Sequence, residues 1–332
     1  MKKNYALERE EDFILKKLLA LVLIFIFVFS GCGAEKIPTD YDFTEVMEDT
    51  MVHIIEEAPN PGHNHINGEW SVIVASRYGA EVPENWHDIY YENLCNTLKE
   101  NDGVLSKTKH GNYSRAVLTL TAIGRDPSDV GGYNIFDSYA DYEFVTHQGI
   151  PGSVFALLSL DSIGYEVPEG DVTREKLIEH ILSEEYEGGG WALMGEDPDV
   201  DMTAQVIQAF APYYGENEEV TAAVDRAVAV LSEVQKPDGG FFAWESENSQ
   251  TVSQVGIALS SIGIDIRTDE RFIKDGNWIG SYIMGYYLGD GAFEHTKGLG
   301  ENAMATDQCM QMFVAMELFE KGERFYDFTK IN

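Results

Sequence analysis

The sequence predicts an all-α fold, an (α/α)6 toroid in which six helical hairpins set an inner ring of apolar helices inside an outer ring of amphipathic ones. Three observations carry that expectation. Apolar helical runs stop at glycine six times, at Gly79, Gly124, Gly164, Gly215, Gly263 and Gly322, with gaps of 45, 40, 51, 48 and 59 residues. A left-handed helix stop recurring at near-constant spacing means six repeats. Each repeat also holds two unlike helices, and no stretch alternates apolar and polar residues as a strand would.

In chain order, the first element is a leader. Lys16 and Lys17 precede an unbroken apolar run from Leu18 to Phe29, which closes in small residues, "FSGC", at Cys32. The run is short for a membrane span, which needs about 20 residues. It resembles a bacterial lipoprotein signal, which implies cleavage after residue 31 and a lipid on Cys32; an uncleaved anchor is the alternative. Residues 32–40 then read as a tether and 41–332 as the toroid. Either way the body is expected outside the cytoplasm, at a membrane surface.

The outer helices show one apolar stripe each. Phe43, Val46, Met47, Met51, Ile54 and Ile55 form the first, and Val220, Val224, Ala227, Leu231 and Val234 a later one. Both keep helical spacing, with acidic residues on the other face. The runs that end in glycine, "SRAVLTLTAIG", "GSVFALLSLDSIG" and "QCMQMFVAMELFEKG", are apolar on most of their circumference and so belong inside. An open solenoid of helix pairs is the rival arrangement. Closure is expected because the inner runs keep no polar face for a wetted concave side.

The chain carries 57 acidic against 23 basic side chains, a formal charge of -34. Self-repulsion of that size excludes nucleic acid and other polyanions as partners. Beyond Cys32 only Cys95 and Cys309 remain, too few for a disulfide framework.

Before the last three inner helices stands a glycine-aromatic turn: "GGGW" at 188–191, "DGGFFAW" at 238–244 and "DGAF" at 290–293. From Trp191 to Gln205, Phe241 to Gln254 and Phe293 to Gln308 the intervals are 14, 13 and 15 residues. Glycine permits the sharp turn, and the ring is read first as a packing tie between hairpins, with a ligand contact as the alternative.

The run Gln235-Lys-Pro-Asp-Gly239-Gly-Phe241 resembles the glutamine-glycine-aromatic repeat of squalene cyclases and prenyltransferases. The likeness extends from Asp42 to Phe328 and includes "YSRAVLTLTAIGRDPSDVGGYN" at 113–134, which is similar to bacterial secreted members. It implies a toroid with a central cavity. In class II cyclases an Asp-x-Asp-Asp motif followed by Thr-Ala opens an inner helix; Asp199-Val200-Asp201-Met202-Thr203-Ala204 aligns with it. The resemblance implies Asp201 as proton donor and Asp199 as its neighbouring acid, with Met202 in place of the last aspartate. It also implies aromatic side chains around the ligand, for which Trp191, Phe241, Trp244 and Phe293 are the candidates.

Metal readings fit less well. A calcium loop starting at Asp197 needs glycine and an acid where Met202 and Gln208 stand. Asp307-Gln308-Cys309 resembles the Asp-x-Cys pair of zinc prenyltransferases, but no histidine follows on a later inner helix, and His295 precedes it. A capping aspartate before a buried cysteine is preferred. His63 and His65 form a His-x-His pair that reads as solvated loop. Neither metal nor other cofactor is expected.

In a toroid the first turns of the inner helices open on the cavity. Asp199, Asp201, Gln205, Gln254, Asp307 and Gln308 join the four aromatic residues as candidate ligand contacts, with Asp199 also a helix cap. Three functions follow. The first is a lipid-anchored receptor for a small molecule or peptide, the resemblance suggesting cobalamin or an isoprenoid. The second is a cyclase- or prenyltransferase-like enzyme using Asp201. The third is an acidic module that docks envelope proteins.

Overall fold

The computed structural model describes residues 37–330, and the expected leader with Cys32 lies outside them. Residues from Thr39 onward form one compact unit. Its helices are α1 (Thr44–Glu57), α2 (Glu69–Tyr78), α3 (Trp86–Glu100), α4 (Gly111–Ala122), α5 (Tyr142–Thr146) and α6 (Ile150–Asp161). They continue as α7 (Arg174–Ser183), α8 (Val200–Phe210), α9 (Glu218–Val234), α10 (Ser249–Ser261), α11 (Ile279–Ile283) and α12 (Ala303–Glu320).

The even-numbered members from α2 to α10, with α12, form the inner ring. Each packs on the next, and α12 returns to pack on α2. The ring is therefore closed, and the open solenoid is excluded. Burial explains why. In α10 every residue except Gln250 is buried, and in α4 all but Gly111 and Arg115 are. Helices without a wetted face are stable only when surrounded on all sides.

All six expected stops are left-handed: φ is 77° at Gly79, 69° at Gly124, 75° at Gly164, 86° at Gly215, 82° at Gly263 and 70° at Gly322. A side chain bearing Cβ would be strained there, which is why the sequence marks these points so plainly.

The outer helices bury a single stripe. In α3 it is Trp86, Tyr90, Leu94 and Leu98, one residue per turn. Burying a leucine of this kind stabilises by about 1.5–3 kcal/mol, and truncating Leu94 to alanine costs about 2–5 kcal/mol. Two outer members are reduced to single turns. Between α4 and α6 the chain makes a 3-10 turn, Ile135–Ala140, and the short α5. Between α10 and α12 it makes two 3-10 turns, Glu270–Phe272 and Met284–Tyr286, with α11 between them. Pro127, Gly131 and Gly132 in the first segment, and Gly280, Gly285 and Gly289 in the second, deny a long helix. A two-residue hairpin, β1 (Phe242–Ala243) with β2 (Ser246–Glu247), precedes α10. Among the described residues no helix is long and apolar enough to cross a membrane.

Candidate ligand-binding site

A cavity of about 600 Å³ opens where the first turns of α6, α8, α10 and α12 converge. The inner helices supply Pro151, Asp201, Met202, Gln205, Gln250, Thr251, Gln254 and Gln308 to its wall, and the turns before them supply Gln148, Leu193, Asp199, Trp244, Ser246, Asn248 and His295.

Asp199 is the N-cap of α8, and both its oxygens are occupied. Oδ1 accepts the Met202 amide at 2.6 Å, and Oδ2 accepts the Leu193 amide at 2.8 Å. One carboxylate thus fixes the helix start and the loop that forms one lip of the mouth. Asn248 caps α10 in the same manner, accepting the Thr251 amide at 2.8 Å.

Asp201, two residues further, looks into the cavity. Burial raises its carboxyl above the ordinary aspartate value; a hydrogen bond from Thr251 opposes the rise, the Asp199 charge adds to it, and the Trp244 side chain opposes it again. Asp201 and Trp244 thus line the same side of the cavity mouth. Trp244 and Glu245 form the tip of the β1–β2 hairpin, with φ of 52° and 62°. Both central residues of a two-residue hairpin turn lie in the left-handed region when its twist matches the strands. Asparagine or glycine usually takes such places, and each larger side chain there costs roughly 1–2 kcal/mol. The hairpin is braced from outside by Lys236 on Glu247 and by the Tyr282 hydroxyl, 3.3 Å from Glu247.

The remaining wall is rich in amides. Gln254 receives a hydrogen bond from Gln208 at 3.0 Å. Among the described residues the side chains of Gln148, Gln205, Gln250 and Gln308 have no hydrogen-bond partner, and neither Lys nor Arg lines the cavity. His295 turns its edge here too; burial lowers its basicity, so the ring is neutral, and Nδ1 has no partner.

Four of the expected contacts do not reach the cavity. Trp191, Phe241 and Phe293 are wholly enclosed. Trp191 donates its indole N–H to the Ile181 carbonyl at 2.7 Å, while its own backbone N–H and carbonyl both meet the Thr203 hydroxyl at 3.0 Å. Thr306 receives the Phe293 amide in the same way at 3.0 Å. The turns are packing ties, and Gln235 adds another by donating to the Gly239 and Phe272 carbonyls at 3.0 and 3.2 Å. Asp307 is enclosed between α12 and α2, where the Ser71 hydroxyl donates to it at 3.1 Å. Burial, opposed by Ser71, raises its carboxyl to about 8. It is a neutral acid in the wall rather than a ligand contact.

Cys309 faces α10 instead, 3.5 Å from the Ser253 hydroxyl, so Asp307 and Cys309 point at different neighbours and form no joint metal site. Among the described residues no group of three or more His, Cys, Asp and Glu side chains is placed to hold a metal ion. Cys95 and Cys309 are both free. The His-x-His pair divides. His65 is exposed, whereas the His63 side chain is buried with Nδ1 2.7 Å from Glu69, because the loop folds back over the start of α2. Burial resists the Glu69 charge, but His63, Arg115 and the Asn64 amide outweigh it and hold the carboxyl below its usual value.

Gln148, Pro151, Leu193, Ser246, Asn248, Gln250, Thr251 and His295 are wall residues that sequence reasoning did not single out as ligand contacts. Gln250 had a readable signal, since it stands one turn before Gln254 on the same face.

No protein-family model matches the chain, and no curated protein matches it. Among solved structures it is similar to a possible member of the GH105 family from Salmonella enterica serovar Paratyphi A, with a TM-score of 0.52 and 10% identity over 87% of this chain and 96% of that one. At that identity the likeness speaks for the shared fold: this chain is an all-α toroid.

Proposed function

We propose that the protein is a lipid-anchored, extracytoplasmic binding protein whose toroid takes a neutral, hydroxyl-rich small molecule, of saccharide or polyol class, into the cavity beneath Trp244 without changing it chemically. The single observation that carries the reading is the set of four glutamine side chains with unused hydrogen-bonding capacity around one cavity. A primary amide offers two donors and an acceptor, and a hydroxyl group matches both roles. An apolar ligand would leave those groups unpaired at about 1–3 kcal/mol each. An anionic one would meet Asp199, with no lysine or arginine among the described lining residues to receive it. A cation would find both oxygens of Asp199 already accepting backbone amides and the charged form of Asp201 disfavoured by burial.

The volume suits a small ligand, since such sites run from about 300 to 1,000 Å³. A corrinoid would have to rest on the mouth, and a polyprenyl chain would strand the amides. The likeness to squalene cyclases and prenyltransferases rests on the Gln235–Phe241 motif, and we infer that the acid aligned with their proton donor serves here as a polar group of the cavity wall. Alkene protonation needs an acid stronger than usual, and burial makes Asp201 weaker. An open cavity likewise speaks against a docking module with a filled core.

The test is native mass spectrometry and titration calorimetry of the full chain in detergent against neutral saccharides, polyols, short peptides and polyprenyl alcohols. Binding confined to the hydroxyl-rich set, and weakened about tenfold or more by Gln205→Leu, supports the reading. Silence from that set, or turnover of a polyprenyl substrate that stops in Asp201→Asn, defeats it.

A further inference from the structure

The cavity does not end at its mouth. Trp244 and Leu193 line it, yet they are 52% and 47% exposed, and the adjoining Phe242 and Met194 are 59% and 68% exposed. Two of these large apolar side chains, Trp244 and Leu193, share the cavity wall, and each keeps about half its surface in solvent. Such a patch beside a pocket marks a contact surface. Both halves are held stiffly. The Leu193 amide is tied to Asp199, and the Tyr186 hydroxyl donates to the Gly195 carbonyl at 2.9 Å just beyond Met194. Trp244 stands in a left-handed turn unfavourable for tryptophan, on a hairpin braced at Glu247 by Lys236 and Tyr282. A backbone held in a costly conformation at a cavity rim points to pre-organisation.

Charge and chemistry narrow the occupant. Among the described residues no Lys or Arg lines the cavity, and its free groups are four amides and the His295 ring, so the site continues as one for neutral hydroxyl-bearing ligands. A pyranose carries hydroxyl groups on its rim and C–H groups on its faces. The rim suits the glutamines, and a face suits an exposed indole, which offers a large rigid contact area. Resting on the saccharide reading above, we propose that the cavity is the end compartment of a longer site: it receives the terminal unit of a neutral oligosaccharide, while the next unit lies against Trp244 and Leu193.

The experiment is calorimetry on the full chain in detergent with glucose, its α-1,4- and β-1,4-linked oligomers, and N-acetylglucosamine with its β-1,4-linked oligomers. Expected is one series in which affinity rises about tenfold from one unit to two and levels off soon after. Trp244→Ala collapses that increment and Trp244→Phe, which keeps a ring face, retains most of it. Equal affinity for one and two units, or an increment untouched by Trp244→Ala, overturns the proposal while leaving the cavity reading intact. Binding by no saccharide overturns both. Should Trp244→Ala fail to fold, Leu193→Ser and Met194→Ser read the same increment, and its persistence in both variants counts against the shelf.

Discussion

Asp199 and Leu193 are joined by a hydrogen bond of 2.8 Å from the Leu193 amide to Oδ2, while the other oxygen of the same carboxylate caps α8. The lip of the cavity and the start of an inner helix therefore share one residue. Asp199→Ala should cost about 1 kcal/mol of stability, typical of a lost N-cap, and speed hydrogen exchange at both Leu193 and Met202. Asp199→Asn should keep most of the cap. Denaturant titration and exchange mass spectrometry over residues 191–203 check this, and unchanged exchange at Leu193 would refute the shared role.

Asp307 gives stability a pH dependence with a definite sign. Its folded value of about 8 stands above the 3.8 of a free aspartate. Its contribution is therefore fully present below pH ~4 and is lost as pH rises through about 8. Asp307→Asn, which keeps a polar partner for Ser71, should gain on the wild type across that window, by at most roughly 6 kcal/mol at its alkaline end. Urea midpoints at pH 4, 6 and 8 for both chains measure it.

Asp201 follows the same sign. Burial raises its carboxyl, so its contribution also falls as pH climbs above the free aspartate value. Asp201→Asn should gain stability relative to the wild type as pH rises above the free aspartate value, and tryptophan fluorescence should change at the same time because Trp244 lines the same cavity. A fluorescence spectrum indifferent to the substitution would separate Trp244 from Asp201.

Thr203 ties the first of the three glycine-aromatic turns to α8. Its hydroxyl meets both the amide and the carbonyl of enclosed Trp191. Thr203→Val leaves that amide without a partner at about 1–3 kcal/mol, whereas Thr203→Ser should lose much less. Midpoint shifts in urea distinguish the two.

The parts of this molecule that follow from backbone restriction were readable in the sequence. Gly79 and its five counterparts announce themselves because few residues tolerate a left-handed cap. Asp199, Asp201, Gln205, Gln254 and Gln308 could be grouped because periodicity fixes which residues share a helix face. Direction within loops is not encoded that way. Nothing in "DGGFFAW" distinguishes Phe241, turned into the core, from Trp244, turned to the cavity; the hairpin's positive φ angles decide it. His295 was out of reach for the same reason, and His63 was misread as solvated because its pairing with Glu69 depends on how a proline- and glycine-rich loop doubles back.

The packing of α12 on α2 has a consequence for how the chain comes apart. An open stack can fray from either end, one repeat at a time, since the outermost unit has a single neighbour. Here every inner helix has two, so no repeat is terminal and loss of any one uncovers greasy flanks on both sides. Melting should accordingly be all-or-none, and a circularly permuted chain, cut at a cap-side loop such as that after Gly215 and sewn across its native ends, should keep the same single transition.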